Sequence, residues 1–159
     1  MSSQPERPPY ESYAAIAGAY GGLLTAVTLV GKALGRPAPK LGPVEIAALG
    51  MASFKAGRTL AREKVASFVR APFVEGEAST GEDEEPAGEG LQQALGELLT
   101  CTRCVGTWSA AGLASLVVLT PRFGRLVVLV LDAGAVNDFL QAGFTALTAK
   151  CNALERQRA

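Results

Sequence analysis

The sequence predicts an all-α protein, an integral membrane helical bundle with three or four transmembrane helices and a cytoplasmic loop that is partly amphipathic and partly acidic. Two observations carry this prediction. Hydrophobic residues make up 48% of the 159 residues, and the charged residues gather in the middle and at the ends, which leaves long uncharged stretches. Within those stretches small residues recur at helical spacing, and small residues allow helices to approach closely in lipid.

The composition excludes several classes of function. Lys and Arg number 15 and so do Asp and Glu, so no excess of positive charge points to nucleic acid. Histidine is absent, which removes Ser–His and Cys–His nucleophiles and histidine metal ligands together. Three cysteines are too few for the disulfide framework of a small secreted protein. We therefore expect no catalytic activity and no resident cofactor.

The first membrane span is predicted at residues 13–31. This segment has 19 residues and no charge, close to the ~20 that cross a bilayer core as a helix. A polar, proline-bearing tail, residues 1–12, precedes it and is predicted to be disordered. The small residues of this span recur at every fourth position and form one helix face, made of Ala14, Gly18, Gly22 and Ala26.

A long helix is predicted at residues 43–70, since proline suits a first helical turn and Pro72 ends the segment. Its first half is almost entirely apolar, whereas its second half is amphipathic, with Lys55, Arg58 and Arg62 on one face. The apolar half is short for a full crossing. Whether this helix spans decides between three and four transmembrane helices.

An acidic loop follows at residues 74–90 and is predicted to be solvated and mobile. It carries seven acids: Glu75, Glu77, Glu82, Asp83, Glu84, Glu85 and Glu89. A short helix at residues 91–100 then leads towards two cysteines.

The last part of the chain predicts a helical hairpin. Residues 105–120 are uncharged, a tight turn at 121–125 holds two arginines, and residues 126–147 return across the membrane. One membrane-embedded domain, residues 13–148, thus contains every span. A polar tail, residues 149–159, ends the chain.

The distribution of lysine and arginine predicts the orientation, because cytoplasmic loops carry the excess of these residues. Three-span and four-span arrangements place different linkers outside. Both arrangements put the acidic loop, Cys101, Cys104 and the C-terminal tail on the cytoplasmic side.

The chain from residue 48 to 143 resembles a bacterial membrane family named domain of unknown function 1360. The resemblance rests on motifs in a fixed order: Arg58-Thr-Leu-Ala-Arg62, Arg70-Ala-Pro72-Phe73, Pro86-x-Gly88-x-Gly90-Leu91, and Leu99-Thr100-Cys101-x-x-Cys104-x-Gly106-x-Trp108. It implies a small multi-pass protein of the bacterial plasma membrane and no particular activity. Thr102 and Arg103 stand where an aromatic residue or proline is expected in many relatives, and the first span lies outside the resemblance.

Cys101 and Cys104 form a Cys-x-x-Cys pair, the most distinctive short motif in the sequence. Thr100 is expected to cap the helix that enters the membrane, which places both thiols near a positive helix end beside Arg103 and favours the thiolate form. Three interpretations stay open. The pair cycles between dithiol and disulfide; or it supplies half of a zinc site completed by Cys151 or by a second protomer; or the small thiols pack the helix start.

Asp132 and Asp138 are carboxylates predicted to lie at membrane depth, where they are costly and usually face a bundle interior or water. A proton or ion path is one interpretation, and hydrogen bonding within the bundle is the other.

A cluster of cations follows the first half of the long helix. Arg58, Arg62, Lys64 and Arg70 are predicted to contact anionic lipid headgroups, the acidic loop, or both. Trp108 lies about one turn into its helix, where an interfacial aromatic anchor belongs, and packing in the core is the alternative.

The predicted function is that of a structural or interaction protein that recruits a partner at its cytoplasmic face. Its expected partners are the lipid bilayer and either another protein or further copies of itself, joined through the small-residue helix faces. Two alternatives remain: a membrane protein that depends on Cys101 and Cys104 for metal binding or thiol redox chemistry, and a small transport or pore subunit that uses Asp132.

Overall fold

Four long helices and a short polar segment form the fold. The computed structural model describes residues 8–36, 39–76 and 84–158. The elements in chain order are α1 (Tyr10–Ala33), α2 (Pro43–Arg62), a 3-10 turn (Lys64–Ala66), α3 (Ser67–Arg70), β1 (Val74–Glu75), β2 (Glu85–Pro86), α4 (Leu91–Thr100), α5 (Thr102–Leu119) and α6 (Pro121–Arg158). The all-α class is confirmed.

The long helices run alternately up and down. Tyr13 at the start of α1 donates a hydrogen bond to Glu97 of α4, and Gly31 at the end of α1 lies against Val118 at the end of α5. α2 returns, so that Gly57 near its end meets Gly106 near the start of α5. α6 then runs back from the end of α5. The start of α1, the end of α2 and the start of α5 therefore share one end of the bundle.

The interior consists mostly of small residues. Among the described residues, the buried hydrophobic side chains are seven alanines and two larger residues: Ala52, Ala61, Ala66, Ala87, Ala94, Ala111, Ala135, Val105 and Leu113. Large apolar side chains lie outside instead, for example Leu29 on α1 and Leu129 on α6, which are 62% and 63% exposed. This is the reverse of the arrangement that stabilises a protein in water.

Glycines permit the closest helix contacts. A Cβ atom added at Gly57 would lie 2.9 Å from the Cα atom of Gly106, so α2 and α5 cross backbone against backbone. A Cβ atom at Gly124 would lie 2.5 Å from the carbonyl carbon of Leu116, which fixes the tight α5–α6 hairpin. The α2–α5 crossing thus has a small residue on both helices, whereas the hairpin needs one on α6 alone.

Within the described part of the chain, the small-residue face predicted on α1 makes no close helix contact. Ala14, Gly18, Gly22 and Ala26 are all exposed, and nothing lies within 4 Å of a Cβ atom placed at Gly18 or Gly22. α1 packs through another face, on which Tyr20 meets Trp108 of α5.

The predicted single helix at residues 43–70 is wrong, because the chain breaks at Glu63. Glu63 has extended backbone angles, φ −84° and ψ 140°, and it ends α2 at Arg62. The break folds α3 back, so that the Arg70 side chain reaches the carbonyl oxygens of Leu60 in the last turn of α2 and of Glu63 just after it.

The acidic loop predicted at residues 74–90 is ordered at both ends. β1 and β2 form an antiparallel ribbon in which Val74 pairs with Pro86 and Glu75 with Glu85. Glu84 is buried, contrary to the prediction of a wholly solvated loop. The middle of the acidic loop, residues 77–83, lies outside the described residues. So do most of the predicted tail at residues 1–12 and part of the linker before α2.

The α5–α6 hairpin is confirmed, but its turn is shorter and its second helix longer than predicted. α6 begins at Pro121, because proline suits the first helical turn, and the predicted turn at 121–125 is helical. No proline follows, and the helix continues to Arg158. The predicted polar tail at residues 149–159 is therefore the end of α6, apart from Ala159, which is not described.

Candidate functional site

The end of the bundle where α2 ends and α5 begins carries a cluster of paired charges, which we call the polar platform. It is made of two groups, Arg70 with Glu84 and Lys55 with Glu63 and Asp138. The first group joins α3 to the residue before β2, and the second joins α2 to α6.

Arg70 is the most buried charged residue of the platform, with 0% of its surface exposed. Its Nε donates to one carboxylate oxygen of Glu84 at 2.7 Å, and its Nη2 donates to the other at 2.9 Å. Nη1 donates to the carbonyl oxygens of Leu60 at 2.7 Å and Glu63 at 3.2 Å. Full burial excludes the predicted contact of Arg70 with lipid headgroups. Its other predicted role, contact with the acidic loop, is the one observed.

Lys55 bridges two carboxylates. Its Nζ lies 2.8 Å from Glu63 Oε1 and 2.9 Å from Asp138 Oδ2, and its side chain is 20% exposed. Asp138 thus lies at the level of the platform rather than deep among the helices. Lys55 is close in sequence to Gly57, which packs beside the carbonyl oxygen of Thr102, so α5 starts at this same level.

Cys101 rather than Thr100 caps the start of α5. The Cys104 backbone N–H donates to Cys101 Sγ at 3.3 Å, whereas the Thr100 hydroxyl donates back to the Gly96 carbonyl oxygen of α4. A hydrogen bond from the Cys104 side chain, backbone N–H groups of the first turn and the nearby Arg103 charge together lower the pKa of the Cys101 thiol. The site therefore favours a thiolate at Cys101, as the position at a helix start predicts.

The three cysteines are free, and Cys101 is half-buried while Cys104 and Cys151 are exposed. Within the described part of the chain, no three Cys, Asp or Glu side chains are placed to hold a metal ion together. Cys151 lies 13 residues beyond Asp138 on α6, about 20 Å further along the helix axis. One copy of the chain thus does not bring Cys151 to Cys101 and Cys104.

An open groove of about 680 Å³ runs beside the platform between α1, α2 and α5. Arg58 and Arg103 line its polar end and are exposed, and Tyr20 and Phe54 line its apolar part. We call this the arginine groove. Of the other predicted cations, Lys64 is exposed and Arg62 is half-buried.

Asp132 lies within α6, six residues or about 9 Å along the helix axis from Asp138 and about 16 Å from Pro121 at the opposite end of the bundle. It lines a cavity of about 580 Å³ between α2, α5 and α6, together with Lys40, Glu45 and Arg125. Asp132 thus faces this cavity, whereas Asp138 is paired with Lys55 in the polar platform. Trp108 is half-buried, and its ring meets that of Tyr20 edge to face at 5.1 Å between centroids.

The roles of three members of the polar platform were not predicted from the sequence. Lys55 bridges two carboxylates, Glu63 ends α2, and Glu84 is the buried partner of Arg70. Lys55 offered a signal, since it is the first charge after nine uncharged residues of α2. Glu84 offered none, because it stands among seven acids of similar surroundings.

The fold defines a class of protein, an α-helical bundle with helices suited to a bilayer. In the described part of the chain, α1 and α5 are long and apolar enough to cross a membrane, with mean hydropathy of 1.6 and 1.3 over their most apolar stretches. The chain belongs to the family described as protein of unknown function DUF1360, which matches residues 48–144. This confirms the family predicted from the ordered motifs. Comparison with curated proteins and with solved structures finds no match.

Proposed function

We propose that this chain is a multi-pass protein of the bacterial plasma membrane that acts as a non-catalytic scaffold and docks a partner at its polar platform. The observation that carries the proposal is the reversed distribution of side chains: alanine and glycine inside, large apolar side chains outside. Water would make this arrangement costly, because exposed apolar area of this extent is rare on soluble monomers. Lipid tails cover such a surface at no cost, and small residues then supply the helix contacts.

Four crossings fit the alternation of the helices. α2 runs antiparallel to α5, since Gly57 near its end meets Gly106 near the start of α5, and it covers about 20 Å from Pro43 to Lys55 at the platform level. The first 18 residues of α6 reach from Pro121 to Asp138, and only Arg122, Arg125 and the two aspartates are charged among them. These contacts support a four-helix unit whose platform, N-terminus and C-terminus share the cytoplasmic side.

The platform suits docking because its own charges are largely satisfied while the arginine groove beside it is open. Lys55 and Arg70 are held by carboxylates of this chain. Arg58 and Arg103 are exposed at the groove and offer cationic groups to an incoming protein. An acidic segment of a partner is the chemistry that fits them.

Affinity purification from native membranes in mild detergent tests the docking role. Wild-type protein is expected to retain a stoichiometric protein partner, and Arg58→Glu/Arg103→Glu is expected to lose it. Arg122→Glu/Arg125→Glu is the matched control, because it reverses two exposed arginines at the other end of the bundle. Equal partner recovery from both double variants would contradict docking at the arginine groove.

A second candidate function, thiol chemistry, is supported by the Cys101 helix cap and its lowered thiol pKa. In this role Cys101 is the attacking thiolate and Cys104 resolves the mixed disulfide. Equilibration of the purified protein in glutathione buffers, read by mass spectrometry, should then show an intramolecular disulfide that Cys104→Ser abolishes. Zinc that co-purifies and leaves with Cys101→Ser would favour metal binding by pooled pairs instead.

A further inference from the structure

α6 is too long for the bilayer and projects from the bundle. Its 38 residues measure about 57 Å, nearly twice the ~30 Å of a hydrocarbon core. Asp138 marks the level of the polar platform, and every residue from 139 to 157 is exposed. About 30 Å of helix therefore stands beyond the platform without a covering element from the described chain.

The projecting part of α6 carries an apolar stripe with coiled-coil spacing. Its members are separated by four, three, four and three residues: Leu140, Phe144, Leu147, Cys151 and Leu154. Phe144 and Leu140 are 73% and 68% exposed. An alternating four–three repeat keeps a stripe in register only on a helix that winds around another helix.

The same repeat continues back along the membrane part of α6 through Leu126, Val130, Ala133 and Asn137, all exposed. Ala135 is buried against the bundle, so this stripe lies on the outer face. Asn137 is the polar member of this stripe: it immediately precedes Asp138 at the platform level, and its exposed amide stands between Ala133 and Leu140. In a two-stranded coiled coil, an asparagine at this core position pairs with its copy and fixes the register.

Charge complementarity points to a second copy as the occupant. With Asn137, Phe144 and Cys151 at the first core position of each heptad, Lys150 and Glu155 fall at the two flanking positions five residues apart. In a parallel pair, Lys150 of each chain faces Glu155 of the other. Copies inserted in one bilayer with the same orientation present parallel α6 helices, so the twofold arrangement closes.

We propose that two copies of this chain pair through the outer face of α6 as a parallel coiled coil that extends from Leu126 to Leu154. The proposal rests on the proposed membrane insertion, since insertion makes the two helices parallel. It deepens the scaffold role, because the pair places two polar platforms side by side.

Oxidative cross-linking in native membranes tests the pairing. In a Cys101→Ser/Cys104→Ser background, Cys151 is the remaining cysteine and lies on the stripe. Copper phenanthroline is expected to convert most of this protein to a covalent dimer on non-reducing gels. The matched control moves the cysteine to the opposite helix side by Cys151→Ser/Ala149→Cys, and its dimer yield is expected to fall at least tenfold.

Two further variants distinguish pairing through the apolar stripe from random collision of two copies in the membrane. Leu147→Asp is expected to abolish the Cys151 dimer, because it places a charge in the paired core, whereas Ala149→Asp is expected to preserve it. Absence of the Cys151 dimer, equal yields from positions 149 and 151, or cross-linking to a different protein would overturn the proposal. Carbonate extraction of the same membranes distinguishes failure of the pairing from failure of the proposed function. A monomer that stays in the membrane contradicts only the pairing. A protein that carbonate releases contradicts the proposed function.

Discussion

The guanidinium group of Arg70 holds both carboxylate oxygens of Glu84 in a two-pronged ion pair, and neither side chain is exposed to solvent. The remaining Arg70 nitrogen donates to the carbonyl oxygens of Leu60, in the last turn of α2, and of Glu63, the residue that follows α2. One side chain thereby joins the acidic segment to the end of α2. A buried pair with this geometry is strongly destabilising to break from one side, because the remaining charge has no partner.

Arg70→Ala is therefore expected to lower the free energy of unfolding by about 3–5 kcal/mol. Arg70→Lys is expected to restore little, since an ammonium group cannot make the two parallel hydrogen bonds to Glu84 and also reach the helix carbonyls. Thermal unfolding in detergent micelles measures both variants. Arg58→Ala is the control, because Arg58 is exposed, and a loss as large as that of Arg70→Ala would show that the burial of Arg70 is not the cause.

The burial of Arg70 could not be predicted from the sequence, although much of the fold could. The class, the helix at 91–100 and the hairpin follow from local properties: uncharged length, proline position and small-residue spacing. The burial of Arg70 depends on a chain break at Glu63 and on a carboxylate 14 residues away, neither of which has a local signature. Arg70 and Arg58 have the same side chain, and only tertiary contacts decide which is buried.

The crossing of α2 and α5 depends on glycine. Gly57→Ala is expected to cost about 1–3 kcal/mol, because its methyl group would lie 2.9 Å from the Gly106 backbone and force the helices apart. Gly50→Ala in the same helix has open space around the added methyl group and is expected to be neutral or slightly stabilising. Unfolding of the two variants by detergent titration should separate them clearly, and equal stability would contradict the backbone contact.

Cys101 is expected to react as a thiolate at lower pH than an ordinary cysteine. The hydrogen bond from Cys104 stabilises the charged form, so the pKa of Cys101 lies below its usual value and alkylation by iodoacetamide begins at lower pH. Cys104→Ala removes this bond and should move the midpoint of the rate profile upward, whereas Cys104→Ser keeps a donor and should hold it near wild type. A midpoint that Cys104→Ala leaves unchanged would argue against the hydrogen bond.

Lys55 is the cation that pairs with two carboxylates, those of Glu63 and Asp138. Lys55→Met leaves Glu63 and Asp138 without this cation, whereas Asp138→Asn leaves the Lys55–Glu63 pair in place. Lys55→Met is therefore expected to be the more destabilising change, with a loss of at most about 1 kcal/mol because the group is partly exposed. Thermal unfolding with Lys32→Met, an exposed lysine, as reference measures the difference. The reverse order would indicate that Asp138 has a more important partner than Lys55.

The central claim is that the chain crosses the bacterial plasma membrane four times with its polar platform inside. Labelling of intact bacterial cells with a membrane-impermeant maleimide tests it most directly, using Cys104 alone and Thr120→Cys alone in chains without other cysteines. Both positions are exposed, at opposite ends of α5. Thr120→Cys should be labelled in intact cells and Cys104 only after the membrane is permeabilised. Labelling of Cys104 in intact cells, or protection of Thr120→Cys until permeabilisation, would contradict the proposed arrangement.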